Sequence, residues 1–313
     1  MKKTIFSFSW IPVVFLLVRC GSASQTAAEE VKMNEIIGYE YDTDEKSLLW
    51  EITGNGLKQP SYLYGTIHIQ RKEVFAYDTV VSKIFDTCAA YAMELNMDEI
   101  DMKKMNKTMQ MDKPLDSIIS AEKYRVMDSL MLAEAGMGMT MFKKMKPFFL
   151  MAMMMKDDIG TDMPMALDLD FFNKAKKKKK KLIGIEKFEE QMAAVDELTI
   201  EEQVDMILEG MKDTTHGAFK FDEMLDTYLA GDLEKMVELT KDSTYPEKFH
   251  KAFLHDRNIR MADRIAKICS EQMTFNAVGA GHLGGDDGVI ALLRKKGFTL
   301  KPIKTEFKTV ETK

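Results

Sequence analysis

Short apolar runs and longer helical patterns alternate along the 313 residues. Residues 47–52 (SLLWEI) and 62–67 (YLYGTI) are compact apolar and aromatic runs separated by Gly54-Asn55-Gly56, which predicts a β-hairpin. Apolar positions recur at helical spacing over 77–85, and 88–95 (CAAYAMEL) is an apolar run ending in an acid. That pattern predicts a buried strand reached through a crossover helix, one βαβ unit. From 98 to about 158 the helical period continues, broken near Pro114, at Gly136-Met137-Gly138 and at Pro147, so this stretch reads as a helical insertion. A helix starting near Ala166 ends in six lysines, 176–181, and 182–185 (LIGI) is another short strand. Helical spacing then dominates from 188 to 272. The C-terminal part returns to sheet: strand 274–278 (TFNAV), a glycine-rich turn, helix 287–296 and strand 298–303 (FTLKPI). The predicted fold is α/β (α+β), a mixed central sheet flanked by helices, with a helical insertion.

The N-terminus has a different pattern. Lys2 and Lys3 precede an apolar run, 11–18, too short to span a bilayer and fitting the core of a secretory signal. Leu17-Val18-Arg19-Cys20-Gly21-Ser22 follows, which resembles a bacterial lipoprotein box with Arg19 where a small residue is usual. The expectation is a signal peptide over 1–19, lipidation of Cys20 and export to the periplasm or cell surface on a membrane anchor; the alternative is an ordinary cleaved signal with a chance cysteine. The polar, acidic stretch 20–46 reads as a flexible tether, 47–308 as the folded domain and 309–313 as a tail.

Composition narrows the classes. Lysine and arginine number 44 against 50 aspartate and glutamate, a net charge of −6 that gives no sequence-wide surface for nucleic acid. The 27 methionines, many between Met97 and Met165, suit an adaptable helical core or an apolar docking groove. Beyond Cys20 there are two cysteines, Cys88 and Cys269, either bridged or buried as thiols. The lysine run is either a solvated helix end or a patch for anionic headgroups.

The chemistry is expected at strand ends. His68 closes Gly65-Thr66-Ile67-His68 after one strand, and His282 closes Gly279-Ala280-Gly281-His282 after another, two Gly-x-x-His turns among 5 histidines. Gly65, Gly279 and Gly281 allow the tight backbone approach that presents an imidazole at the edge of a sheet. Glu94 ends the apolar strand between them in sequence. Two histidines and a carboxylate suit a divalent metal with open positions for water. His216, His250 and His255 lie in charged helical stretches and read as surface residues.

The segments SYLYGTIHI, YAMEL, LDLDFFNKAKKKKKKLIGIEKFEEQM, HDRNIRMADRI and NAVGAGHLGGDDGVIALLRKKGFTLKPI, in that order, resemble the TraB/GumN family, which includes the Tiki metalloproteases. The resemblance implies the fold shared with erythromycin esterases and haem-binding ChaN proteins, and an active site holding His68, Glu94 and His282, with Glu186, Arg257 and Asn258 near it. It further implies metal-dependent peptidase chemistry with Mn²⁺, Co²⁺ or Zn²⁺, on a peptide or protein substrate. Leu167-Asp168 stands where relatives usually carry Met-Asp, and Gly284 where many carry proline. Within this reading Glu94 is a ligand or a general base, and Arg257 stabilises an oxyanion, holds a substrate carboxylate or is a helix salt bridge. Glu186 is a site residue or a helix cap. Two other classes remain open: a haem- or metal-binding protein at the same cleft, and a docking scaffold built on the methionine-rich insertion.

Overall fold

The structure, a computed structural model, describes residues 32–154, 160–212, 217–241 and 245–309. Six strands form one sheet: β1 (Leu49–Gly54), β2 (Ser61–Thr66), β3 (Ala90–Leu95), β4 (Lys181–Glu186), β5 (Thr274–Gly279) and β6 (Phe298–Ile303). Their order across the sheet is β4-β3-β5-β2-β1-β6. The pairs β4·β3, β3·β5 and β5·β2 are parallel, whereas β1 runs antiparallel to both β2 and β6. The hairpin and the βαβ unit expected from the apolar runs are thus present within one mixed sheet.

The helices are α1 (Met33–Ile37), α2 (Thr79–Thr87), α3 (Met102–Thr108), α4 (Ala121–Ala135), α5 (Pro147–Met154), α6 (Leu167–Lys177) and α7 (Phe188–Val195), followed by α8 (Ile200–Lys212), α9 (Gly217–Leu229), α10 (Leu233–Thr240), α11 (Glu247–His250), α12 (Asp256–Glu271) and α13 (Val289–Lys295). The breakers act where the sequence places them. Gly136 ends α4 in the left-handed region at φ 69°, where a side chain is disfavoured, and Pro147 opens α5.

Two cores result. Around the sheet, Phe171 of α6 lies 5.3 Å from Phe85, 5.6 Å from Tyr64 and 5.6 Å from Phe275, ring centre to ring centre. Such aromatic pairs add about 0.5–1.5 kcal/mol each beyond the area they bury. In the insertion, Met111, Met127, Met131, Met139 and Met154 pack with Leu115 and Leu150 and against Val204 and Ile207 of α8. Most of the insertion's buried apolar residues are therefore methionines serving as core.

The structure differs from the expected tether over its second half. Met33–Ile37 is helical, and the chain beyond it lies on the edge of β6, with Asp42 N–H donating to Pro302 O (2.9 Å) and Lys304 N–H to Glu40 O (2.9 Å). The hydroxyls of Tyr39 and Tyr41 donate to the buried Glu51 carboxylate at 2.5 and 2.7 Å. The physical reason is that Glu51 on β1 has to be satisfied once buried, and two tyrosines from this strap satisfy it. The signal peptide, Cys20 and residues 310–313 lie outside the described residues, as does His216.

Cys88 and Cys269 are free and buried, and burial pushes both thiols up. The lysine run is partly neutralised: Lys176 pairs with Asp98 at 2.8 Å, Lys178 with Asp86 at 2.9 Å, and Lys180 Nζ donates to the Asp86 and Cys88 carbonyls. Among the described residues no helix is long and apolar enough to cross a membrane.

Candidate active site

The four parallel strands point the same way, so their carboxyl ends share one edge of the sheet, where ligands bind in open α/β folds. Each delivers one predicted residue there: Glu186 ends β4, Glu94 lies next to last in β3, and His282 and His68 follow β5 and β2. The two Gly-x-x-His turns are neighbours, because β2 and β5 pair directly with Gly65 opposite Val278 and Thr66 opposite Gly279. Gly65 is required by this proximity: a Cβ there would sit 3.1 Å from Ala280 Cβ and 3.0 Å from Leu283 Cδ1.

The histidines occupy opposite environments. His282 is 7% exposed, and its Nδ1 lies 2.7 Å from Asn258 Oδ1. Asn258 donates its Nδ2 to the Asp287 carbonyl at 2.9 Å, which turns its oxygen toward the ring and places the imidazole proton on Nδ1. Burial, with the nearby Arg257 charge, pushes the His282 pKa down to about 4, so the ring is neutral at pH 7 and its Nε2 bears a lone pair. His68 is exposed, and its Nδ1 meets both oxygens of Asp168 at 2.9 and 3.0 Å. Asp168 raises the His68 pKa and likewise holds a proton on Nδ1.

Behind the cleft is a buried ion network. Arg257, 3% exposed in the first turn of α12, donates from Nη2 to Glu94 Oε2 (2.8 Å) and to Glu186 Oε2 (2.7 Å). Its Nε reaches both Glu186 oxygens at 3.2 and 3.0 Å. A π turn, Lys251–His255, feeds α12, and the Phe253 ring it carries lies 5.0 Å below the guanidinium. Glu186 is therefore no helix cap: its side chain is fully buried against Arg257, and Glu190 instead accepts from the Lys187 N–H that opens α7. Glu94 Oε1 accepts from Gly279 N–H at 2.7 Å, and Oε2 accepts from Gln191 as well as Arg257. Burial alone would raise the Glu94 pKa; Arg257 and the Gly279 N–H outweigh it, so the carboxylate stays ionised. Gly279 makes room for this contact, since a Cβ would lie 3.2 Å from Glu94 Oε1 and 3.6 Å from His282 Cδ2. A Cβ on Gly281 would instead lie 3.1 Å from Thr240 Cγ2 of α10.

A cleft of about 510 Å³ opens here, lined by His68, Glu94, Asp168, Gln191 and Gly279 together with apolar residues of β3 and α6. The donor chemistry fits a divalent ion at two positions, because each imidazole has Nδ1 on an oxygen acceptor and Nε2 without a hydrogen-bond partner among the described residues, the arrangement usual for metal-bound histidine. It is not an assembled cage: among the described residues no group of three or more His, Cys, Asp or Glu stands close enough together to hold a metal ion. Gln191 joins the site through the fold, with no motif of its own to mark it. Asp168 is marked in the sequence by the Leu167-Asp168 pair of the LDLDFF segment, but nothing there identifies it as the partner of His68. His255 is half-exposed beside Asp256, and His250 lies one turn before it.

Residues 48–302 match the model of the TraB/PrgY/gumN family. Among curated proteins the chain is similar to Metalloprotease TIKI2 of Danio rerio, 22% identical over 354 aligned positions that cover 93% of this chain and 67% of that protein. It is also similar to Metalloprotease TIKI1 of Danio rerio, 23% identical over 83% of this chain and 63% of that protein. A Metalloprotease TIKI homolog of Nematostella vectensis is 23% identical, over 83% of this chain and 68% of its own length. The chain thus spans about two thirds of the length of these relatives. No solved structure matches. With the match covering the strands, both histidine turns and the Arg257 network, the chain belongs to the TraB/PrgY/gumN family.

Proposed function

We propose that the chain is a metal-dependent hydrolase, a peptidase, working at the carboxyl ends of the four parallel strands. The observation that carries this reading is the pair of imidazoles with Nδ1 engaged and Nε2 bare. His68 and His282 would hold the ion, Mn²⁺, Co²⁺ or Zn²⁺, through Nε2, with Asp168 and Asn258 fixing the two tautomers. A divalent ion supplies Lewis acidity toward a carbonyl and a bound water that ionises near neutral pH.

The chain's own residues do the rest. Glu94 Oε2 is filled by Arg257 and Gln191, while Oε1 accepts only from Gly279 among the described residues and keeps a lone pair. Oε1 is therefore the atom that takes the water proton, or that completes the ligand set. Arg257 is not free to bind substrate, because Glu94 and Glu186 occupy it; it fixes the orientation of Glu94 instead. The export and lipid anchor at Cys20 belong to this proposal on sequence grounds, placing the site at a membrane surface facing peptide substrates and not nucleic acid.

The test is hydrolysis of a mixed peptide library by the full chain with and without added Mn²⁺, Co²⁺ or Zn²⁺. The reading expects cleavage that a chelator stops, that metal restores, and that is absent in His68→Ala. Cleavage indifferent to chelator and to His68→Ala would overturn it.

A further inference from the structure

The polar groups account for only part of the cleft. Its other lining residues include Met93 and Leu95 of β3, Met97 just beyond the strand, and Leu169 and Phe172 of α6. The two-residue period of a strand puts Met93 and Leu95 on one face of β3, and the three-residue spacing puts Leu169 and Phe172 on one side of α6. The apolar wall is therefore built by two packed elements and adjoins the residues proposed for chemistry. About 510 Å³ is ordinary for a ligand site and exceeds what one side chain fills.

We infer that this wall is a side-chain subsite selecting peptides with a large aliphatic or aromatic apolar residue next to the cleaved bond, with Met97 and Phe172 setting the preference. Cleavage at that subsite rests on the hydrolase reading, whereas the apolar preference rests on the wall alone. Phe172 is buried and forms a fixed surface, whereas Met97 is 43% exposed and has room to fold onto a ligand. Its backbone is nonetheless pinned, since Asn96 caps the turn through Asp98 N–H (3.2 Å) and donates to Glu99 Oε1 (2.8 Å). Thioethers at Met93 and Met97 adapt to leucine, methionine or phenylalanine alike. No lysine or arginine lines the cleft, Lys176 at 5.2 Å from the Phe172 ring centre is taken by Asp98, and the two acids of the lining, Glu94 and Asp168, are held by Arg257 and His68, so a charged side chain meets only groups already paired. Burying an unpaired charge there is unfavourable.

The experiment uses the full chain and a set of pentapeptides identical except for a central Leu, Met, Phe, Asp or Lys. Cleavage with Mn²⁺ is followed by mass spectrometry, and binding without metal by calorimetry. The Leu, Met and Phe peptides should exceed the Asp and Lys peptides by about tenfold or more in both readouts. Met97→Lys, at an exposed position, should keep the thermal midpoint, weaken the Leu peptide about tenfold and improve the Asp peptide. Phe172→Leu serves as a second variant and should selectively lower the Phe peptide. Equal handling of all five peptides, or a preference unmoved by Met97→Lys, would overturn the subsite. Selective binding without cleavage would retain the subsite and remove the hydrolase reading; neither binding nor cleavage would remove both.

Discussion

His68 and His282 come from the same four-residue motif on adjacent parallel strands, yet one is exposed against a carboxylate and the other buried against an amide. The difference lies in what covers each turn. Asn258 of α12 and the Asp287 carbonyl close over His282, and the Arg257 charge disfavours a second cation beside it. The first turn of α6 reaches His68, bringing Asp168. A shared local motif therefore fixes where an imidazole is presented, while the partner of its Nδ1 and the groups packed around it fix its tautomer and its charge. In a metal site such asymmetry is useful: the buried ring is always available as a neutral donor, and the exposed one is made more basic by its carboxylate.

The comparison breaks most severely from the buried side. Arg257→Met would leave the fully buried Glu186 and the partly covered Glu94 without their shared cation, at a cost of about 3–5 kcal/mol in urea unfolding. A loss under about 1 kcal/mol would mean the network contributes little. Acid separates the two histidines next. Unfolded His282 takes a proton below about 6.5 but the buried ring does so only near 4, so stability falls as pH drops through that window and is unaffected above it. The full loss is about 3 kcal/mol, since each tenfold difference in proton affinity is worth about 1.4 kcal/mol, and it should vanish in His282→Gln. His68 has the opposite sign: its raised pKa adds stability below about 6.5 that is lost as pH rises through the folded value. A proton NMR titration of the metal-free chain should show a His68 ring resonance moving at a higher pH than 6.5 and no movement of His282 near neutrality.

Smaller effects sharpen the same contrast. Asp168→Asn should lower the His68 pKa in that titration and weaken metal binding about 10–100-fold, the usual consequence of losing a partner behind a ligating histidine. Asn258→Leu should weaken it comparably, and the pH of half-maximal binding should shift only for the Asp168 variant. Gly279→Ala is the mildest change: its Cβ at 3.2 Å from Glu94 Oε1 moves a side-chain tip and not backbone, costing on the order of 1 kcal/mol. Its mark would be a lower kcat in peptide hydrolysis with a thermal midpoint lowered by only about 2–4 °C.

All six strands are legible in the sequence because five are compact apolar runs and β6 alternates apolar and polar positions, each bounded by turn residues or a helix end, and His68, Glu94 and His282 because strand ends are where such residues act. Arg257 and Glu186 are legible as residues but not in their roles, since nothing local reveals that residues 71 apart share one buried pair. Asp168 lies 100 residues from His68, at the start of a helix where an acid is common anyway. The strap of Tyr39 and Tyr41 is hidden for a similar reason: its polar composition reads as tether until Glu51 on β1 supplies a buried partner.

The most direct test is calorimetric titration of the full chain with Zn²⁺ and with Mn²⁺, beside His68→Ala, His282→Ala and Glu94→Gln. The account predicts one ion per chain, lost in either histidine variant and retained, with weaker affinity at most, in Glu94→Gln. Binding that survives both histidine substitutions, or that depends on Glu94 alone, would contradict it.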